Sequence, residues 1–517
     1  MDRFATHAAG HAPAGHTVPL ALAAAVLLVH LLVNAGGGYG YFRDELYYIA
    51  CSEHLDWGYV DHPPLSILLL AANRRLLGDS VFALRLLPAL AGAGLVLLTG
   101  VLVRQLGGGR AAQALACLAV GMAPTYALVA DFYSMNAFEP LFWMGAASLL
   151  IRLVDTGDTR LWPWVGAVVG LGLQNKHSMV FFGAAVAVGL LVTQQRRLLL
   201  NRWCAAGAAL GFLLFLPNLV WQAAHGWPTL QFAANAQAWK NAPMSPGEFL
   251  LAQVVLQHPA AAPLWVGGLV ALTWQERLRR HRGLAIAFVL LFGLFVAQRG
   301  KPYYLSPFFP LLLAAGATAF EEIVVRRGWR LATPACLGAL AVAWAVTLPL
   351  FLPVLPVEAY IRYAAAVGLR DIKMERHADA ALPQVFADRF GWPELAAEVA
   401  RVHRALAPEE RPHAIVFAQN YGEAAAIDFF GPAHGLPPAA SGHNSYWYWG
   451  TRGRTPRVVI VIGGRIEDHR RTFTSVEAVG FHAHPYAMPY ESDLTIFVCR
   501  GLKVPLDEAW RAVRHFD

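Results

Sequence analysis

The sequence predicts a polytopic α-helical membrane protein with about eleven transmembrane helices, followed by a C-terminal extracytoplasmic α/β domain. Three observations carry that prediction. Of 517 residues, 56% are hydrophobic and only 15% charged, where soluble domains hold roughly a quarter charged residues. Apolar runs recur along the first 356 residues, most of them near the ~20 residues needed to cross a bilayer. Beyond residue 356 the chain becomes richer in charge and contains no spanning run. A soluble globular enzyme and a disordered chain are both excluded.

The first run covers Val18 to Ala35. It lacks a small-residue cleavage site and precedes many further runs, so it reads as an uncleaved helix rather than a signal peptide. Further runs lie near 81–103, 111–130, 137–151, 161–174, 178–193, 203–221, 259–274, 283–297, 305–320 and 331–355. With the N-terminus placed in the cytoplasm, the short inside loops hold 14 arginines, among them Arg104, Arg152, Arg196, Arg279 and Arg326. The short loops of the other side hold four basic residues, Lys176, Lys240, Arg299 and Lys301. The positive-inside bias therefore supports that orientation, and an odd number of spans puts the C-terminus outside. The run Arg277–Arg282 reads as a topological anchor.

This arrangement divides the chain into a transmembrane catalytic domain, 1–356, and an outer domain, 357–517. The first outer loop is 36–80, with a further outer loop at 222–258. Within the tail, Ala414–Ala418, 457–462 and 494–498 read as strands and 423–430 as a helix. The net charge of +7 sits in clusters between apolar runs, not in one stripe, so no nucleic-acid partner is implied. Cys51, Cys117, Cys204, Cys336 and Cys499 are scattered, with neither a disulfide framework nor zinc-ligand spacing.

The residues that carry chemistry lie in the outer turns. The first loop reads Tyr41-Phe42-Arg43-Asp44-Glu45-Leu46-Tyr47-Tyr48 and continues Asp61-His62-Pro63-Pro64. Two acids directly after a span either favour a helix dipole or have a task. The two prolines fix an extended turn after an acid and an imidazole. Residues 64–77 then read as an amphipathic helix on the membrane, with Arg74 and Arg75 at its polar end.

The next outer turn brings Asp131, Asn136 and Glu139. Lys176 lies between two short runs, and Arg299, Lys301, Tyr303 and Tyr304 form a fourth group. Acids that activate a nucleophile, with cations that hold a phosphate leaving group, make an enzyme inventory.

Other features have plainer readings. His30 reads as a packed side chain. Gly463-Gly464 reads as a turn. The aromatic run Tyr446, Trp447, Tyr448 and Trp449 leans to packing, with a platform for sugar rings and an interfacial belt as the alternatives.

The four ordered motifs resemble the GT-C membrane glycosyltransferases, in particular the bacterial relatives of dolichyl-phosphate-mannose–protein mannosyltransferases (glycosyltransferase family 39) and their cousins, the lipid A aminoarabinose transferases. The motifs are Asp44-Glu45, Asp61-His62-Pro63-Pro64, Phe132 to Pro140, and Lys301-Pro302-Tyr303-Tyr304. Tyr421-Gly422-Glu423 and Ser441 to Trp447 resemble outer tails of a bacterial branch. The resemblance implies an inverting transfer from a polyprenyl-phosphate-sugar donor to a hydroxyl of a lipid, glycan or protein acceptor. It places that reaction at the outer face of a bacterial inner membrane, among membrane lipids.

Asp44 matches the family's acid after the first span, the general base, with Glu45 as its partner. Lys301 with Arg299 is the first choice for the donor phosphate and Lys176 the second. Relatives often carry Asp where this chain has Asn136, so Glu139 or Asp131 takes the acid role. The aminoarabinose transferases have Glu-Lys-Pro-Pro where this chain has Asp61-His62-Pro63-Pro64, and His62 holds a phosphate only when protonated. No cofactor is required. A divalent metal on Asp61 and His62 is an alternative with too few visible ligands. The competing functions are a lipid-linked sugar transporter or flippase, and a degenerate scaffold. A transporter favours inverted halves with mid-membrane charges, whereas here the acids stand at span ends.

Overall fold

The computed structural model describes residues 15–36, 39–368, 375–376 and 378–517. The chain folds as two compact units. One is built from residues up to Gly36, Phe82–Val220 and Ala242–Pro356, the other from Gly37–Val81, Trp221–Asn241 and Val357–Asp517.

The first unit is helical, and each of the eleven apolar runs contains a helix. Among the described residues, seven helices are long and apolar enough to cross a membrane: Thr17–Gly36, Val81–Gln105, Met135–Thr156, Arg202–Ala224, Arg279–Ala297, Pro302–Arg327 and Ala332–Phe351. The number is eight if Pro246–Leu256 and Pro259–Trp274, bent by 95° at their junction, count as one span. The protein is a multi-pass membrane protein, with fewer full-length spans than the eleven apolar runs.

The difference has local causes. Pro124 lacks an N–H and takes the first position of a new helix, so the run near 111–130 breaks at Ala123 into Arg110–Met122 and Pro124–Val129. Thirteen-residue helices such as Met179–Leu191 reach only ~20 Å at 1.5 Å per residue. The run near 137–151 is longer than its apolar core, because Ser134 caps it and Gly157 ends it in the left-handed region at φ 68°.

Close helix packing relies on glycine. A Cβ on Gly316 would lie 1.8 Å from the Leu264 carbonyl oxygen, and one on Gly268 would lie 1.9 Å from that of Leu312. The helices Ala262–Trp274 and Phe309–Arg327 thus meet backbone to backbone, as membrane helices do when small residues line the contact.

The second unit contains a five-stranded mixed sheet, with strands β1 Ala414–Ala418, β2 Ala439–Ser441, β3 Val458–Ile462, β4 Phe473–His482 and β5 Leu494–Leu502. Their order is β2-β1-β3-β5-β4. β1 runs parallel to β2 and β3, while β5 is antiparallel to β3 and β4. Every residue of β3 is buried, as a central strand covered on both faces requires. One face of the sheet packs Ile415, Val459, Val461, Phe497 and Cys499 together.

In the same unit lie the helices Arg43–Glu53 and Leu65–Leu77. Arg74 ties them together by bonding Ser52 Oγ at 2.6 Å, the Ile49 carbonyl at 3.1 Å and Asp79 at 2.5 Å. The helix Leu65–Leu77 buries Ile67, Leu70 and Ala71 but exposes Leu68, Leu69, Leu76 and Leu77, an apolar face suited to lipid.

Replacing Gly316 by leucine is expected to lower thermal stability in detergent through overpacking of about 1–3 kcal/mol. The same substitution at Gly338, where a Cβ meets nothing within 4 Å, is expected to leave it unchanged.

Candidate functional site

The predicted site residues fall into two clusters, one in each unit. In the helical unit, Ser134 accepts a hydrogen bond from the Asn136 N–H at the start of Met135–Thr156. Asn136 and Glu139 then follow three residues apart and so share a helix face. Lys176 follows the helix Trp162–Asn175, where its N–H bonds the Gly172 carbonyl at 2.8 Å. Asn175 clamps the two segments by donating to the Met135 carbonyl at 2.9 Å.

The Lys176 ammonium therefore reaches Glu139 Oε2 at 2.7 Å and Asn136 Oδ1 at 2.7 Å. Ser178 Oγ donates to the other Glu139 oxygen. The rings of Tyr303 and Tyr304 face the same ammonium, with centroids 5.3 and 5.0 Å away, within cation–π range.

These tyrosines stand on a tight turn, Pro302–Phe308. It is pinned by Gln253 to the Pro302 carbonyl at 3.1 Å, by Tyr126 to the Ser306 carbonyl at 2.6 Å, and by Gln257 to Ser306 Oγ at 3.1 Å. Lys301 is half-buried at the start of the turn and Arg299 is exposed just before it, with φ 52°. Asp131 is wholly buried.

In the second unit, Asp44 and Asp61 are each held by a tyrosine hydroxyl. Tyr421 donates to Asp44 Oδ1 at 2.9 Å, and Tyr47 donates to Asp61 Oδ1 at 3.0 Å. The rings of the two tyrosines pack 4.6 Å apart, and the Ser445 N–H holds Tyr47 Oη at 3.2 Å. Burial pushes the Asp61 carboxyl up, the His62 ring and Tyr47 hydroxyl oppose that, and the neighbouring Asp44 adds to it.

His62 is fully buried among the rings of Tyr47, Tyr48 and Tyr59. Burial holds its pKa down, an effect opposed by Asp61 at 3.8 Å. Glu45 is also fully buried and is spent on its own helix start, where one oxygen accepts the Phe42 N–H at 2.8 Å.

Behind Asp44 lies a group that the sequence reading missed. Arg43 is buried, with its guanidinium over the Tyr421 ring at 4.5 Å, 3.6 Å from Glu491 and 3.3 Å from Tyr490 Oη. Gly422 makes room for it, because a Cβ there would lie 2.7 Å from Arg43 Cγ. Asp388 accepts from Tyr490 at 3.1 Å, and Asn420 donates to both Glu423 and Glu491. Burial raises the Asp388 carboxyl to about 8, and Arg43 opposes the rise while Glu491, Asp44 and Glu375 add to it. Glu423 and Glu491, one beside the other, are raised too, first by burial. A lone arginine in a motif gives no sign of burial, and nothing near Tyr421 in sequence points to Asp44. Tyr47, one helical turn beyond Asp44, was the available signal.

The aromatic run is used in packing. Tyr446 is buried and bonds Asp428 at 2.9 Å, while Trp447 and Trp510 each donate to the other's carbonyl at 3.1 Å.

Among the described residues one trio has the types to hold a metal, His443, His515 and Asp517. The His443 Nδ1 accepts the Tyr421 N–H at 3.3 Å and its Nε2 faces the Asp517 carbonyl at 3.0 Å. That pattern puts the proton on Nε2, the nitrogen a metal would need, and the trio as built fits hydrogen bonding better than ligation. Among the described residues Asp61 and His62 belong to no such trio.

Residues 61–221 match the family model described as dolichyl-phosphate-mannose-protein mannosyltransferase. The lipid A galacturonosyltransferase RgtD of Rhizobium johnstonii is 25% identical over 202 residues, which are 39% of this chain and 42% of that protein. The chain thus spans less than half the length of that relative. Among solved structures, ArnT from Cupriavidus metallidurans in the apo state superposes with a TM-score of 0.60 at 17% identity, covering 93% of this chain and 97% of that one. The same protein bound to undecaprenyl phosphate gives 0.56 at 15% identity, with the same coverage. The oligosaccharyltransferase AglB from Archaeoglobus fulgidus, in complex with an inhibitory peptide and a dolichol-phosphate, gives 0.52 at 12% identity, covering 86% and 69%.

Lys176→Met would leave Glu139 buried without its cation. It is expected to destabilise the helical unit by about 3–5 kcal/mol, and Glu139→Gln added to it is expected to restore part of the loss in a thermal unfolding assay. In the second unit, a carboxyl raised to about 8 favours the fold fully below its unfolded pKa. That contribution is lost as pH rises through 8. The Asp388 contribution to stability is therefore expected to fall between about pH 4 and 8, and Asp388→Asn to remove that component, as read by comparing denaturation of the two proteins at several pH values.

Taken together, the chain has the membrane fold of the ArnT structures, is similar over 202 residues to a lipid A galacturonosyltransferase, and matches the dolichyl-phosphate-mannose-protein mannosyltransferase model over residues 61–221.

Proposed function

We propose that the protein is a membrane glycosyltransferase that moves a sugar from a polyprenyl-phosphate-sugar donor to a hydroxyl of a lipid, glycan or protein acceptor, with inversion. The reaction takes place at the outer face of a bacterial inner membrane. The N-terminus is cytoplasmic and the outer domain, 357–517, extracytoplasmic, as the arginine-rich loops support. The observation that carries this reading is Asp44. It is a carboxylate on the short helix after the first apolar helix, fixed through one oxygen by Tyr421, in a chain with the fold of ArnT, whose solved structures include one with undecaprenyl phosphate bound.

Each residue then has a part to play. Asp44 takes the proton from the acceptor hydroxyl as that oxygen attacks the anomeric carbon, and the lipid phosphate leaves. Charge grows on the leaving phosphate oxygen, so cations stabilise the transition state. Lys301 and Arg299 remain the first choice for that role. Lys176 is already neutralised by Glu139, which makes it a support for Tyr303 and Tyr304 before it is a phosphate ligand. Glu45 and His62 act from within the fold, by fixing the helix start and the Asp61 turn. Lipid A is the acceptor to try first, since the relative matched over 39% of the chain is a lipid A galacturonosyltransferase.

Purified protein in lipid, given a panel of radiolabelled polyprenyl-phosphate sugars and lipid A, is expected to transfer one of them. Asp44→Asn is expected to reduce transfer by about 10²–10⁴-fold while donor binding persists. Binding without turnover in wild type, unchanged by the substitution, would contradict the reading.

A further inference from the structure

The groups around Asp44 extend past the residues that the proposed reaction uses. Asp44 Oδ1 accepts the Tyr421 hydroxyl at 2.9 Å. Tyr421 comes from the first turn of the helix Tyr421–Phe430, 377 residues away in sequence. Its ring is gripped on two sides, by the Tyr47 ring at 4.6 Å and by the Arg43 guanidinium at 4.5 Å. Its backbone N–H is fixed on His443 Nδ1 at 3.3 Å. Arg43 is held in turn by Glu491 and Tyr490. Such a phenol has no freedom to point elsewhere.

We infer that Tyr421 is a positioning residue for the proposed general base: its hydroxyl holds one Asp44 oxygen and leaves the other turned to receive the acceptor's proton. The inference rests on the glycosyltransferase reading given above. A base works only when its lone pair is held within hydrogen-bond reach of the proton it takes. A carboxylate on a short helix has two rotatable bonds to fix, and a phenol bond to one oxygen fixes both. A phenol O–H bonds an ionised carboxylate more strongly than a neutral acid, so loss of such a bond is read in the acid limb of a pH–rate profile. The acceptor proton moves to Asp44, the phosphate leaves with the bonding electrons, and Tyr421 keeps its own proton throughout. Because Tyr421 belongs to the tail, the base becomes competent only once the tail has folded.

The experiment combines kinetics with fluorine NMR on the full-length protein in lipid. Tyr421→Phe deletes only the hydroxyl. It is expected to lower kcat about 10- to 100-fold with KM for the donor little changed, and to move the acid limb of the pH–rate profile upward. A 3-fluorotyrosine at 421, a stronger donor of the same shape, is expected to move that limb downward. Its ¹⁹F resonance is expected to shift when Asp44 is replaced by Asn, a readout that requires no donor. A Tyr421→Phe enzyme with wild-type kcat and pH profile would overturn the inference. So would a loss of activity with an unmoved acid limb and a lowered unfolding temperature, which marks a purely structural role, or a ¹⁹F signal blind to Asp44→Asn. Failure of the underlying reading looks different: Asp44→Asn would then keep full transfer activity.

Discussion

A carboxylate partly removed from water needs donors to replace the lost hydrogen bonds, and for the half-buried Asp44 and Asp61 those donors are phenols. Tyr47 serves Asp61 and Tyr421 serves Asp44, and the two rings rest on each other. Much else follows from that pair. Arg43 must lie over Tyr421, which demands the bare Cα of Gly422. Its buried charge then demands Glu491, with Tyr490 as a further partner. Glu491 is linked through Asn420 to Glu423, which caps its own helix start through the Gln419 N–H. A loop from the beginning of the chain and a tail from its end are thus joined through polar groups that have few other ways to be satisfied.

The helical unit solves the same problem with a cation at the centre. Lys176 is buried, yet it meets a carboxylate, an amide oxygen and two aromatic faces. The four partners come from two segments, the helix Met135–Thr156 and the turn Pro302–Phe308, and each segment is pinned by side chain-to-carbonyl bonds from glutamine, asparagine or tyrosine. In an apolar surrounding such bonds are hard to exchange for water, so the arrangement is rigid. Rigidity at Tyr303 and Tyr304 suits a surface that receives a sugar or a phosphate without reorganising.

How much of this the sequence discloses depends on how local the cause is. The strands at Ala414–Ala418 and Val458–Ile462 are legible because a fully buried strand is a continuous apolar run. β4 is not, since Phe473–His482 is largely exposed and mixed in character, and its pairing with β5 supplies the order. The acids Asp44, Asp61 and Glu139 stand out as charges beside apolar runs. Of their partners only Lys176 stands out, as a charge between short apolar runs; Ser178 is an ordinary helix-start residue, and Tyr421 meets Asp44 only across 377 residues. His62 and Glu45 show the opposite limit, where a reactive residue type is used for packing and capping. The span count exceeds the full-length helices because hydropathy registers neither the break at Pro124 nor the shortness of helices such as Met179–Leu191.

The account stands or falls on a single displacement assisted by one base. Its most direct test is the anomeric configuration of the product, read by NMR from a donor of known configuration. A β-linked polyprenyl-phosphate sugar giving an α-linked product, or the reverse, is the result predicted. Retention would contradict the account, because it requires a second displacement through a nucleophile on the protein, a role that a base tied to Tyr421 does not fill.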